Sequence, residues 1–169
     1  MNNERFESQV DRCRDLEALG ALLDARVKAI APGLDRFNIG VLDLERYLFL
    51  DGYVRGRNVP GRATGHVRTL RGTVVEAALR DGGRTLQTHS GRREWVRCFP
   101  GFGPVYDSGI RSMGAVVAAA AAAPVASLVL ASRDALGIDE RALAVAGDLA
   151  VRSTPALAAL AGQVAWPVL

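Results

Sequence analysis

The chain has 169 residues, 49% of them hydrophobic, 23% charged and 6% aromatic, which suits one domain around one core and excludes a disordered chain. That length leaves no room for a kinase, nuclease or ATPase fused to a sensor. Twenty-one basic against 18 acidic residues give a net charge of +3 and a pI near 9.3, but the charges are interspersed, with Lys28 the sole lysine and no basic run longer than Arg92-Arg93, so no nucleic-acid partner is expected.

From Asn3 to Ile30 the chain is rich in helix formers and free of Pro. Leu16, Leu23, Val27 and Ile30 fall on one stripe, with Gly20 at the missing step. The pattern predicts one long amphipathic helix, stopped at Pro32-Gly33. Two apolar runs, Phe37 to Leu44 and Tyr47 to Arg55, are separated only by Glu45-Arg46 and predict an antiparallel hairpin. Gly56 to Gly65, with Asn58 and Pro60 among its glycines, reads as a loop, and His66 to Arg71 as a short strand. Thr73 is placed to cap a helix over Val74 to Arg80, with Glu76 three residues on as in a capping box and Asp81-Gly82-Gly83 to end it. Arg84 to Thr88 reads as another short strand. Ser90 to Gly109, which contains Pro100, Gly101, Gly103 and Pro104, predicts an irregular, lid-like connection with a helical turn around Trp95.

Ser112 to Ser132 carries no charge and is long enough for a membrane span. Its alanines give little transfer energy and Pro124 interrupts it, so no membrane is expected. Alanine favours a helix, whereas Val116-Val117, Val125 and Leu128-Val129-Leu130 favour strands. The expectation is a hairpin of Met113 to Ala120 and Val125 to Ser132, turning at Pro124. After Asp139-Glu140, Leu143, Ala146, Ala150, Ser153, Leu157, Leu160 and Val164 recur at steps of three and four. Pro155 follows Ser153-Thr154, a capping pair, and predicts two helical pieces with a kink.

In this order, LRGTVVEAALRDGGRTLQT (Leu70 to Thr88) resembles the helix and following strand of the GAF domain family of bacterial signalling proteins. SGIRSMGAVV and VASLVLASRD, between Ser108 and Asp134, resemble the strand pair that closes such domains. The likeness covers Arg36 to Asp148. It implies an α/β (α+β) fold: a central antiparallel sheet with helices on both faces, the long N- and C-terminal helices packed together, and a small-molecule pocket under the connections. The single domain would divide into an N-terminal helix over 1–35, sheet and pocket over 36–136, and a C-terminal helix over 137–169. The chain lacks the Cys-His pair of bilin-holding members and the Asn-Lys-Phe-Asp-Glu constellation of cyclic-nucleotide-binding members. Members that reduce free methionine sulfoxide use several pocket cysteines, whereas here only Cys98 falls near the expected pocket.

Trp95, Phe99, Phe102 and Tyr106 concentrate four of the ten aromatics in the lid. They would either wall a pocket for a planar or apolar ligand or pin an irregular loop to the core. Arg111, where the lid meets the next strand, would either grip a carboxylate or phosphate or pair with Asp107. Cys13, Cys98, His66 and His89 have no metal-ligand spacing, and no cofactor is expected. No spacing joins His89 to Cys98, and Ser90, Ser108 and Ser112 lie in no nucleophile elbow. The chain is therefore expected not to be an enzyme. Two cysteines and a polar start suggest the reducing cytoplasm, without a disulfide.

The expected function is a sensory or regulatory module that binds a small-molecule ligand under the 89–111 connection and signals through its terminal helices. The alternative is a ligand-free module for dimerisation or protein interaction. A homodimer is expected through Leu16, Leu23, Val27 and Ile30 on one helix and Leu143, Leu157, Leu160 and Val164 on the other, with Ala146 and Ala150 permitting close approach.

Overall fold

A computed structural model describes residues 3–89 and 91–166. Ser90, where the expected lid begins, and positions 167–169 of the expected C-terminal unit lie outside the described residues. The elements are α1 (Asn3–Val10), α2 (Leu16–Lys28), β1 (Arg36–Asp43), β2 (Leu48–Gly56), β3 (Val67–Thr69), α3 (Val74–Arg80), β4 (Arg84–Thr88), α4 (Arg92–Cys98), a 3-10 turn (Pro100–Phe102), α5 (Gly103–Asp107), β5 (Ser112–Ala120), β6 (Ala123–Ser132) and α6 (Glu140–Ala161). The strands form one antiparallel sheet in the order β3-β2-β1-β6-β5-β4. The fold is the expected α+β one.

Side chains of period two divide the sheet between two cores. Phe37, Ile39, Val116, Ala118, Leu128 and Leu130 face α1, α2 and α6, while Met113, Ala115, Val129 and Ala131 face α3, α4, the 3-10 turn and α5. The β1–β2 ladder slips between Ile39 and Gly40, so that Ile39 opposes Tyr53 and Gly40 opposes Asp51. Gly52 is the extra residue of this bulge, and it turns Tyr53 to the α2 side and Asp51 to the other.

Four local expectations change. The N-terminal segment is two helices, because Asp15 caps a new start by accepting from Ala18 N–H at 2.7 Å while α1 closes in turns at Asp11 to Cys13. The C-terminal segment is one helix through Pro155 rather than two pieces. The missing Pro N–H leaves the carbonyl of Val151, a residue 71% exposed, where water reaches it, and Ser153 Oγ and Thr154 Oγ1 donate back to the carbonyls of Leu149 and Ala150. The lid is more regular than expected, being two short helices joined by a 3-10 turn. The last hairpin turns at Ala121-Ala122, both in the left-handed region at φ 49° and 66°, and Pro124 lies inside β6. On the β1 side proline is tolerated because β1 pairs with β6 only from Ala126 to Ala131, and on the β5 side it lies opposite Ala119, where the ladder slips.

α6 is long and apolar enough to cross a membrane by length and composition. It lays Leu143, Ala146, Leu149, Ala150, Leu157 and Leu160 on the sheet instead, the position of a core helix.

Candidate functional site

Between the sheet and the α3–α5 layer lies a cavity with about 40 Å³ of free space. Its floor is Arg36 and Asn38 of β1, Met113 of β5, and Val129 and Ala131 of β6; Val59, Arg62 and Arg68 form one wall, and Thr73 to Val75, Phe102 and Val105 the roof. Thr73 Oγ1 accepts from Glu76 N–H at 3.1 Å and caps α3 as expected. The Glu76 carboxylate reaches one residue further than in a capping box, to Gly72 N–H at 2.7 Å, and also accepts from Tyr47 Oη. The Tyr47 hydrogen bond, against some burial, and the Gly72 contact hold it below the usual carboxylate range.

Strand alternation puts Arg36 and Asn38 on the cavity side while Phe37 and Ile39 enter the opposite core. Arg36, 9% exposed, donates from Nη1 to the Arg57 carbonyl at 2.6 Å and from Nη2 to the Arg62 carbonyl, which pins the 57–66 segment over the cavity. Arg62 donates to the Gly101 carbonyl at 2.9 Å and lies 5.4 Å over the Phe102 ring, so the segment is latched to the 3-10 turn. Arg68 stacks 4.3 Å over Phe49 and donates to Asp51 Oδ2, while Asn38 Nδ2 donates to Asp51 Oδ1.

Asp51 is wholly buried, and among the described residues it is the acidic side chain whose field acts on all three guanidinium groups. Burial pushes each arginine down. Arg62 falls to about 10, aided by the charges of Arg68 and Arg36 and opposed by Asp51. All three remain charged at neutral pH, so the site holds three positive charges against one negative. Arg68 Nε and Asn38 Oδ1 are buried with no hydrogen-bond partner among the described residues.

Of the expected site residues, Phe102 lines the cavity. Trp95 lies behind it, 1% exposed and stacked at 5.8 Å with planes 7° apart, and Phe99 closes the aromatic group at 5.1 Å from Phe102. Tyr106 and Arg111 sit outside the lining. Arg111 donates to the Tyr106 and Ile110 carbonyls, both at 2.8 Å, and lies 3.8 Å over the Tyr106 ring. Asp107, the expected alternative partner of Arg111, pairs with Arg92 at 2.8 Å. Cys98 is exposed on α4 off the cavity, and Cys13 packs against the α2–α6 core.

Sequence reasoning missed Arg36, Asn38, Arg62 and Arg68. The first two left a signal: polar residues two apart in an apolar strand, RFNIGV, share one face. Arg62 and Arg68 left none, since a loop and a three-residue edge strand carry no periodicity.

No family model and no curated protein matches this sequence significantly. Solved structures do match. The GAF domain of an Acinetobacter phosphoenolpyruvate-protein phosphotransferase superposes with a TM-score of 0.67 at 16% identity, over 96% of this chain and 93% of that one. A free methionine-R-sulfoxide reductase from Neisseria meningitidis, solved with its substrate, gives 0.65 at 17% over 96% and 89%. Residues 122 to 287 of a methyl-accepting chemotaxis protein give 0.66 at 14% over 95% and 98%. The reductase overturns the expectation that the chain is not an enzyme, because the same fold carries a catalyst and does not separate sensors from enzymes. What the three share with this chain is the architecture, and the chain has the fold of a GAF domain.

Proposed function

We propose that this chain is a sensory or regulatory module that binds a small anionic metabolite in the cavity between Arg36, Arg62 and Arg68. The observation that carries the reading is the charge imbalance: three largely desolvated guanidinium groups share one carboxylate, and a bound anion would offset their mutual repulsion. The GAF domains of the phosphotransferase and the chemotaxis protein support a regulatory role by analogy of fold. β1 is the proposed route outward, since it offers Arg36 and Asn38 to the ligand and Phe37 and Ile39 to α2 and α6.

Native mass spectrometry of protein purified from cells is expected to show a retained anion. Isothermal titration with inorganic phosphate and malonate is expected to show binding that Arg62→Ala weakens roughly tenfold to hundredfold, the loss of one charge-assisted contact. Arg62 is the chosen site because its side chain holds a carbonyl rather than the buried Asp51. Unchanged affinity in a folded Arg62→Ala protein counts against the reading. A loss that follows Arg111→Ala instead would move the anion to the outer end of the lid.

A further inference from the structure

Asn38 is 4% exposed and its amide orientation is fixed by chemistry. Asp51 Oδ1 is an acceptor, so Nδ2 must face it, and Oδ1 is left on the side of the amide turned away from Asp51, in a side chain that lines the cavity. Nothing among the described residues donates to that oxygen. Beside it, Arg68 is held to Asp51 through Nη1 and leaves Nε as a buried donor without an acceptor. The cavity therefore offers three kinds of contact at once. It holds two positive charges beyond what Asp51 offsets, a guanidinium N–H that no described residue accepts from, and one acceptor that a ligand O–H or N–H can satisfy in place of water. About 40 Å³ of it is open to the centre of a water-sized sphere, which suits a compact ligand.

Building on the anion reading above, we infer that the ligand is a compact dianion carrying its own hydroxyl: the charges lie against Arg36, Arg62 and Arg68, and the hydroxyl donates to Asn38 Oδ1. Buried polar atoms that stay unpaired are destabilising, so the acceptor discriminates between anions of equal charge and nearly equal size. A hydroxy-dicarboxylate and a hydrogen phosphate share this chemistry, and the probes tell them apart.

Calorimetric titration of the full chain at pH 7.5 compares hydroxymalonate, malonate, glycolate and inorganic phosphate. Hydroxymalonate is expected to bind at least fivefold more tightly than malonate, and glycolate, which keeps the hydroxyl but one charge, at least tenfold more weakly than hydroxymalonate. Asn38→Leu also removes a donor to Asp51 and so shifts both affinities, but the ratio of hydroxymalonate to malonate affinity is expected to fall to about one. If only phosphate binds, the inference holds with a phospho-ligand, provided sulfate, a dianion without a hydroxyl, binds at least fivefold more weakly. Equal binding of hydroxymalonate and malonate, or of phosphate and sulfate, overturns the hydroxyl and leaves the anion reading standing. Glycolate binding as tightly as hydroxymalonate overturns the charge count. Binding of none of the probes removes the anion reading and this inference with it. The wild-type comparisons decide the matter even if Asn38→Leu fails to fold.

Discussion

At the residue scale, small side chains mark where the two layers touch. Gly20 is the gap in the apolar stripe of α2, and the structure fills that gap with the ring of Tyr53: a Cβ built at Gly20 would overlap it. Gly20→Ala gains helix propensity, up to about 1 kcal/mol, but overpacks a buried contact at a cost of about 1 to 3 kcal/mol. Chemical denaturation is expected to show a net loss of stability, with an unchanged m-value. The gap was legible in the sequence as a missing step, though its occupant was not, because Tyr53 reaches α2 only by virtue of the Gly52 bulge. The site shows the same limit. Arg111 was conspicuous in sequence as a cation beside an aromatic cluster, yet its guanidinium is engaged by two carbonyls and a ring. The arginines that reach the cavity are brought together by pairings of β1, β2 and β3 that only the folded chain makes.

At the scale of elements, the junction of β1 and β6 depends on Asp35. Its carboxylate accepts from Arg133 N–H at 2.7 Å and pairs with Arg133 Nε at 2.9 Å. Burial alone would raise this acid, but the two Arg133 hydrogen bonds, the Arg133 charge and Ser132 Oγ outweigh it and hold Asp35 below its ordinary value. A lowered folded-state pKa stabilises above the unfolded value of about 3.9, and that contribution disappears as pH falls through the folded value. Asp35→Asn is therefore expected to flatten the fall in stability below about pH 4, measured by urea titrations across pH. The β5–β6 turn offers the opposite case, a place where the natural residues are suboptimal. Two consecutive alanines with positive φ are strained by about 1 to 2 kcal/mol each, and Asn-Gly suits such a two-residue turn. The double change Ala121→Asn, Ala122→Gly is expected to raise stability by about 1 to 2 kcal/mol in thermal unfolding. Sequence showed that a hairpin was there and misplaced its turn, because proline signals a turn more strongly than a run of alanine does.

At the scale of the whole molecule, the terminal helices close the second core. Leu23, Val27, Leu143, Ala146, Ala150, Leu157 and Leu160 are all buried within the single chain. Their apolar stripes, which in sequence pointed to a partner, are occupied by α2, α6 and the sheet; periodicity reports that a face is covered, not by what. α1 adds to the same closure, with Phe6 lying under Arg152 of α6 at 4.5 Å and Arg26 of α2 at 5.7 Å. Dimerisation through these helices, proposed on the sequence, would have to use what they leave outside, chiefly Val151 of α6 and Ile30 just beyond α2. Light scattering at tens of micromolar is expected to give a dimer mass that Val151→Glu reduces to that of one chain. A monomer mass for the unaltered protein would remove the proposal.

The run Ala118 to Ala123 ends the β5–β6 hairpin at the tip, beyond the stretch of β6 that β1 pairs with. A run of one residue type has no internal landmarks, so its length can change by a residue without changing its character. Here such a change lengthens or shortens only the turn. The two strands keep their facing partners from Ser112↔Ser132 to Ala118↔Ala126, and Arg36, Asn38 and Val129 keep their places at the cavity floor. The tip is thus a natural attachment point, where a foreign segment could be spliced into the chain while the floor of the cavity stays as it is.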